Sequence, residues 1–382
     1  MLKKFKIGLV TVNRSDFGIQ KELIKKLKNN NKIDFSLIVI GIHYDKKYGN
    51  TVDEIIKDKI AIDYKFKNNF NKDDNLHVAK DFSKYVDFFS KIFNKKKFDN
   101  IIILGDRFEM LAAAIVCRIF NISISHIHGG EITLGAQDEY FRHAISKLSN
   151  IHFVSLKEYK LRLIKMGEQP KNIIISGAPS LENLKNNKFL KKNELKKKFN
   201  INFKKYNFLV TFHPETLNPK DNVNDFKIIL QTTKKFKDCH FILTSPAPDI
   251  NSIKMIKLLN KKYQNITYIK SLGRNSYFSL LKECNGMIGN SSSGVIEAAS
   301  FGKFVLNLGL RQKGRTQSQN VLNCKCNQSQ LIKYINKLKK LKTNKKFKNI
   351  YYKKNSSQTI LNFIIKYLKS NQNKVFKNFY DF

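Results

Sequence analysis

Five short polar clusters in this chain carry side chains able to move protons or hold an anion. They are Asn13-Arg14-Ser15-Asp16, Gly105-Asp106-Arg107, the segment from His126 to His143, His213-Pro214-Glu215 and Gly289 to Glu297. Carboxylates set beside Arg and His push one another's pKa values apart, which acid–base chemistry requires. Asp106, Asp138, Glu131, His128 and His213 are the candidate proton-handling groups. On a helix Asp138 and Arg142 are i,i+4, while Glu139 reaches Arg142 at i,i+3 and His143 at i,i+4, so these groups can meet on one face. A plain surface ion-pair helix would use the same spacing for roughly a few tenths of a kcal/mol.

The run Gly289-Asn290-Ser291-Ser292-Ser293-Gly294-Val295-Ile296-Glu297 leaves a strand and enters a helix at about Ser293. Backbone N–H groups and hydroxyls at such a start suit phosphate. Glu297 falls one turn on, where a carboxylate can accept from vicinal ribose hydroxyls, as in dinucleotide folds. The blander alternative is a serine N-cap with a glutamate serving the helix dipole. No G-x-G-x-x-G follows the first strand, which argues against a nicotinamide or flavin cofactor. His126, His128, His143 and His213 lack metal-binding spacing, and Cys324 with Cys326 form a lone C-x-C, so no metal is expected. His77, His152 and His240 read as structural or exposed.

These clusters need elements that aim them at one place. Phe5–Val12, Phe35–Gly41, Asn100–Leu104, Ile122–Ile127 and Ile151–Val154 read as strands. Ile19–Leu27, His77–Phe93, Phe108–Phe120 and Asp138–Leu148 show helical spacing. After a strand-poor stretch from Lys185 to Lys205, the expected link between domains, the pattern restarts. Phe208–Phe212, His240–Thr244, Ile266–Ile269, Gly286–Ile288 and Phe304–Asn307 are strands, each followed by a plausible helix. Strands buried on both faces and separated by helices predict an α/β chain of two Rossmann-like domains, each with a parallel sheet. The expected division is 1–184, 185–350, then 351–382, a final helix (Ile360–Leu368) and a ragged basic tail from Lys369. Every polar cluster follows a strand, and ligands of open α/β sheets lie outside the carboxyl ends of strands. A cleft between two facing halves is the consequence.

Composition restricts the function further. The 382 residues carry 71 Lys+Arg against 30 Asp+Glu, a net charge of +41. Such an excess suits nucleic acid as a partner, the non-enzymatic alternative. The lysines, however, are scattered among Asn, Ile and Phe rather than gathered in one stripe. They read as a solvated basic surface that collects an anionic substrate, with no specific nucleic acid. No apolar run is long enough to span a membrane, and five cysteines without framework spacing suit a reducing compartment, so a cytoplasmic protein is expected.

Six motifs agree in order and spacing with a known family. They are TVNRSDFG at 11–18, GIHYDKKYGNTVDEI at 41–55, ILGDRFE at 103–109, HIHGGEITLGAQDEYFRHAISKLSNIHF at 126–153, VTFHPETL at 210–217 and IGNSSSGVIEAASFGKFVLNLGLRQKGR at 288–315. The chain resembles the hydrolysing UDP-N-acetylglucosamine 2-epimerases of sialic and related nonulosonic acid biosynthesis. That resemblance implies a glycosyltransferase-B-like fold with a nucleotide-sugar in its central cleft. It implies Arg14 as a phosphate ligand, Ser292, Ser293 and Gly294 around the diphosphate, Glu297 on the ribose, and Arg315 also serving phosphate. Asp106 and Asp138 would stand near the sugar with Arg142 bracing Asp138, and His213 would meet the phosphate or leaving group. His128 occupies a place where many relatives carry glutamate, with Glu131 three residues on, and this points also to a different sugar.

The implied reaction eliminates UDP while the C2 proton departs, then adds water across the double bond, releasing N-acetylmannosamine. It needs a base, an acid and clamps on a departing anion, and no cofactor. The alternative donor is a UDP- or GDP-linked 2,4-diacetamido-2,4,6-trideoxy sugar feeding legionaminic acid. A non-hydrolysing epimerase, whose relatives read GDT and PEE-x-NR, fits less well, as does a glycosyltransferase. By analogy the chain would associate as a homodimer or higher oligomer.

Overall fold

Two all-parallel sheets carry the chain, and each reverses its strand order once. The computed structural model describes residues 4–68, 74–182, 184, 187–217, 219–261, 263–342, 344–370 and 376–381. The first sheet contains β1 (Phe5–Thr11), β2 (Ile33–Val39), β3 (Tyr64–Lys65), β4 (Asn100–Leu104), β5 (Ser123–Ile127), β6 (Ile151–Val154) and β7 (Ile173–Ile175) in the order β3-β2-β1-β4-β5-β6-β7. The second contains β8 (Tyr206–Thr211), β9 (Cys239–Thr244), β10 (Ile266–Ile269), β11 (Gly286–Gly289), β12 (Phe304–Leu308) and β13 (Val321–Cys324) in the order β10-β9-β8-β11-β12-β13. The two Rossmann-like halves are as expected. The central strands are fully buried, for example Asn100-Ile101-Ile102-Ile103-Leu104, because helices cover both faces of the sheet.

The strands left out of the sequence reading are short and lie at or near sheet edges. Tyr64–Lys65 pairs through two residues and Ile173–Ile175 through three. Val321–Cys324 is half-buried, with Asn323 exposed and Cys324 buried. Segments this short carry no period to read.

The expected link from Lys185 to Lys205 contains a helix, Lys192–Phe199. Its Leu195 is buried with Leu280 and Leu281 of helix Gly273–Glu283, so it forms part of the second half's core. The final helix, Ser356–Ser370, returns to the first half and buries Ile360, Leu361 and Ile364 beside Ile7, Leu9 and Leu23. The tail is not wholly ragged. Lys377 reaches Glu168 at 2.5 Å, and the Phe379 ring lies under Lys147 at 4.3 Å. Residues 371–375 and 382 of that tail lie outside the described residues. No described helix is long and apolar enough to cross a membrane.

Candidate active site

The first sheet reverses between β1 and β4, and the second between β8 and β11. Strand ends at such a reversal diverge and leave a crevice. Arg14 and Asp106 follow the first pair, and His213 and Ser291–Ser293 follow the second. Asn290 ties the second crevice together: its Oδ1 accepts from His213 N at 2.7 Å, and its Nδ2 donates to His213 O at 2.8 Å. The two crevices face each other across one cavity of about 300 Å³. Arg14, Asp106, His128, Glu131, Asp138, His213, Ser292, Ser293, Glu297 and Arg315 all line it. Gly294 and Arg142 stand behind the wall. A Cβ on Gly294 would meet Val305 Cγ1 at 2.8 Å, so its small size serves helix–sheet packing.

On the rim of the first sheet, helix Arg14–Lys28 starts directly after β1 because the Asn13 side chain caps it, accepting from Asp16 N. Arg14 therefore projects at the crevice, and its Nη1 donates to Ser271 Oγ of the second half at 3.2 Å. The turn after β5 is tight. His128 adopts φ +66, and a Cβ on Gly130, at φ +72, would lie 2.7 Å from Tyr159 O. A left-handed backbone at a non-glycine residue is costly and tends to mark function. His126, on β5 two residues before His128, is buried between Ser146 Oγ and Gly105 O, where it props the turn before Asp106. Burial drives its pKa down to about 3, so it stays neutral.

Helix Asp138–Leu148 brings Glu139, Arg142 and His143 together as the spacing predicts. Glu139 accepts from Arg142 at 3.3 Å and meets His143 at 3.0 Å. The expected bracing of Asp138 by Arg142 is corrected, however. Arg142 is buried and points to Asp106, with further bonds to Glu131 O and Thr133 Oγ1. Asp138 instead meets Arg311, which arrives from the other half at 3.4 Å. The i,i+4 geometry permits one pairing, and the loop after β4 offers Arg142 a better one.

These partners separate the two carboxyls. Burial works against Asp106 as an anion, but Arg142 and Arg315 outweigh it and hold its carboxyl below the usual range. Asp138 moves the opposite way, to about 7, through burial first and the Asp106 charge second. Asp16, beside them, is also raised to about 7, chiefly by burial. Two carboxyls in one cavity with pKa values pushed apart are the makings of acid–base chemistry.

The rim of the second sheet is rich in hydroxyls, with Glu297, Lys270, Arg274, Arg311 and Arg315 among them. Ser291 caps the short helix Ser292–Ile296, accepting from Ser293 N. Ser293 Oγ shares a hydrogen bond with Tyr277 OH. Glu297 closes that helix and stands directly before the 3-10 turn Ala298–Phe301, whose N-terminus its side chain does not cap. Its Oε1 accepts from Ser180 Oγ at 2.5 Å, and burial raises its pKa. His213 Nδ1 accepts from Ala247 N at 2.9 Å. Burial, then Arg311, Arg14 and Arg107, hold its pKa well below the ordinary value. His213 is thus a neutral ring whose Nε2–H can donate to an anion.

Arg107, from the cluster after β4, lines the cavity too, as do Arg311, Arg274 and Tyr277, which were not singled out from sequence. Arg107 pairs with Glu109 at 3.1 Å and faces Asp249 of the second half at 3.7 Å. Arg311 follows β12 by three residues, so the strand-end rule that found Arg107 would have found it too. Of the remaining histidines, His152 is buried against Glu168 at 2.9 Å and His240 meets Thr267 at 2.8 Å, in keeping with structural roles.

Facing parallel sheets with an acid–base rim opposite a hydroxyl rim define a glycosyltransferase-B-like enzyme. Known proteins narrow this: the chain belongs to the UDP-N-acetylglucosamine 2-epimerase family, whose pattern matches residues 25–365. It is 35% identical over 330 residues to the GDP/UDP-N,N'-diacetylbacillosamine 2-epimerase (hydrolyzing) of Campylobacter jejuni, covering 85% of this chain and 86% of that one. It is also 35% identical over 335 residues to polysialic acid biosynthesis protein P7 of Escherichia coli, covering 87% and 85%. In fold it matches the UDP-GlcNAc 2-epimerase of Neisseria meningitidis bound to UDP-GlcNAc, with TM-score 0.78 and 18% identity over 95% of this chain and 100% of that one. It is a nucleotide-sugar epimerase of that family.

Proposed function

We propose that the chain is a hydrolysing 2-epimerase that converts UDP-N-acetylglucosamine to N-acetylmannosamine and UDP. The observation carrying this reading is the pair of carboxyls that share one cavity in different company, Asp106 held by Arg142 and kept below the usual range, Asp138 meeting Arg311 and raised to about 7, set opposite a hydroxyl-rich rim. The proton at C2 of an N-acetylhexosamine is too weakly acidic to leave by itself. In the proposed path His128 takes it as the C1–O bond breaks, and the bonding electrons leave on the UDP oxygen. Water then adds its oxygen to C1 of the resulting glycal while Asp138 delivers its proton to C2 from the other face. The water's proton restores Asp138, and His128 returns its own to solvent. Burial, and then the Asp106 charge, favour the protonated form of Asp138. Arg14, Ser292, Ser293 and the His213 Nε2–H hold the diphosphate, Arg315 adds positive charge beside it, and Glu297 holds the ribose.

Turnover in deuterated water tests this reading. Free N-acetylmannosamine with deuterium at C2, plus UDP, is the expected product. Free sugar retaining protium at C2, or a nucleotide-linked product, overturns it. A second reading takes a UDP- or GDP-linked diacetamido-trideoxy sugar as donor. It is supported by the Campylobacter relative, named for diacetylbacillosamine and as similar to this chain as the polysialic acid protein. A donor panel read by mass spectrometry separates the two.

A further inference from the structure

Glu131 is the most heavily engaged carboxylate in the cavity. Its Oε1 accepts from His128 Nδ1 at 2.7 Å and from Ser155 Oγ at 3.1 Å. Its Oε2 accepts from Arg315 Nη2 at 2.5 Å. The donors come from three places: the turn after β5, the end of β6, and the loop between β12 and β13 in the other half. The side chain is 1% exposed. Burial opposes its charge, but Arg315 and then His128 hold its pKa well below the carboxylate range. An anion with both oxygens occupied by donors has no proton to give and little reason to take one.

The consequence falls on His128. A carboxylate only accepts, so the Nδ1 facing it must carry the proton. The neutral ring then keeps its lone pair on Nε2, the nitrogen left for the cavity that His128 lines. We infer that Glu131 is a positioning residue: with Ser155 and Arg315 it fixes the His128 ring in the Nδ1–H tautomer and presents Nε2 as the proton acceptor of the reaction. This deepens the hydrolytic-epimerase reading and rests on it. The strained backbone of His128 fits the same role, since φ +66 is maintained where the surroundings hold the ring in place. Arg315 thus serves the proton-moving rim as well as the phosphate, and it joins that support from the opposite half.

The test has two arms on the full chain. In protein labelled with 15N-histidine, the His128 signals, identified by their loss in His128→Gln, should report Nδ1 protonated and Nε2 bare. An Nε2–H tautomer overturns the inference whether or not any donor is turned over. In the kinetic arm, Glu131→Gln keeps an oxygen acceptor and Glu131→Ala removes it. The expected kcat falls are about tenfold for Gln and on the order of 10²–10³-fold for Ala, with KM and UDP affinity nearly unchanged. A proton-carrying Glu131 would make Gln as inactive as Ala, and a purely structural one would move KM and UDP affinity with kcat. Either pattern overturns the inference. If the wild type releases no free sugar from any donor, the functional reading fails, while the tautomer still decides the orientation.

Discussion

His128 and His213 stand on opposite rims of one cavity and are held in opposite tautomers. His128 donates a hydrogen bond from Nδ1–H to the Glu131 carboxylate and keeps a bare Nε2. His213 uses Nδ1 to accept the Ala247 N–H and therefore carries its proton on Nε2. The same side chain is made an acceptor on the first sheet and a donor on the second, solely by what faces the far nitrogen. The difference extends to the whole of each rim. Around His128 are Asp106, Glu131, Asp138 and the arginines that separate their pKa values. Around His213 are the hydroxyls of Ser291, Ser293, Thr211, Thr244 and Tyr277, with Arg14, Arg107 and Arg311 close enough to press on its charge, a set of donors and fixed cations suited to an anion. One rim is suited to moving protons and the other to holding what leaves.

Substitutions should therefore divide between kcat and affinity. The largest effect is expected for Asp106→Asn, which removes the ionised carboxyl that Arg142 holds. Turnover near neutral pH should fall by on the order of 10²–10⁴-fold, while calorimetry finds UDP affinity nearly intact. Unchanged kcat would remove Asp106 from the chemistry. The next effect is on pH dependence. Asp138 donates only when protonated, and its pKa is raised to about 7, so it is competent below that pH and loses its proton above it. The wild-type kcat should fall by about tenfold per pH unit beyond this limb. Because the Asp106 charge helps raise that pKa, the residual activity of Asp106→Asn should lose its alkaline limb to lower pH. A limb that stays put would separate the two carboxyls.

Smaller effects belong to the second rim and should appear in affinity. Glu297→Gln should weaken UDP binding by about 1–3 kcal/mol. Equal affinity would leave Glu297 with only its contact to Ser180. The smallest change is expected for His213→Asn, where an amide N–H replaces the ring donor, weakening UDP by about 1 kcal/mol without moving the pH limb. If His213→Asn shifted that limb as Asp106→Asn does, the division between the rims would be broken.

Much of this site was legible from the chain itself, because each cluster follows a strand and strands are read from near neighbours. Asp106 follows Asn100–Leu104, and His128 follows Ser123–Ile127. The helix carrying Asp138 showed its period plainly, and so did the contacts of Glu139 with Arg142 and His143. Less legible were Ile173–Ile175 and Val321–Cys324, too short to show alternation, and the helix Lys192–Phe199, whose lysines hide one buried leucine.

Local pattern by itself determined two doubly wound sheets and the strand ends on which the polar groups stand, since periodicity depends on residues a few places apart. Only the tertiary structure decided who meets whom. Arg142 passes over Asp138 for Asp106, 36 residues away, Arg311 reaches Asp138 across 173, and Arg315 reaches Glu131 across 184. Those pairings set which carboxyl is charged and which nitrogen of each histidine carries the proton. They depend on two distant halves meeting around one cavity, where low polarizability makes the nearest charge decisive.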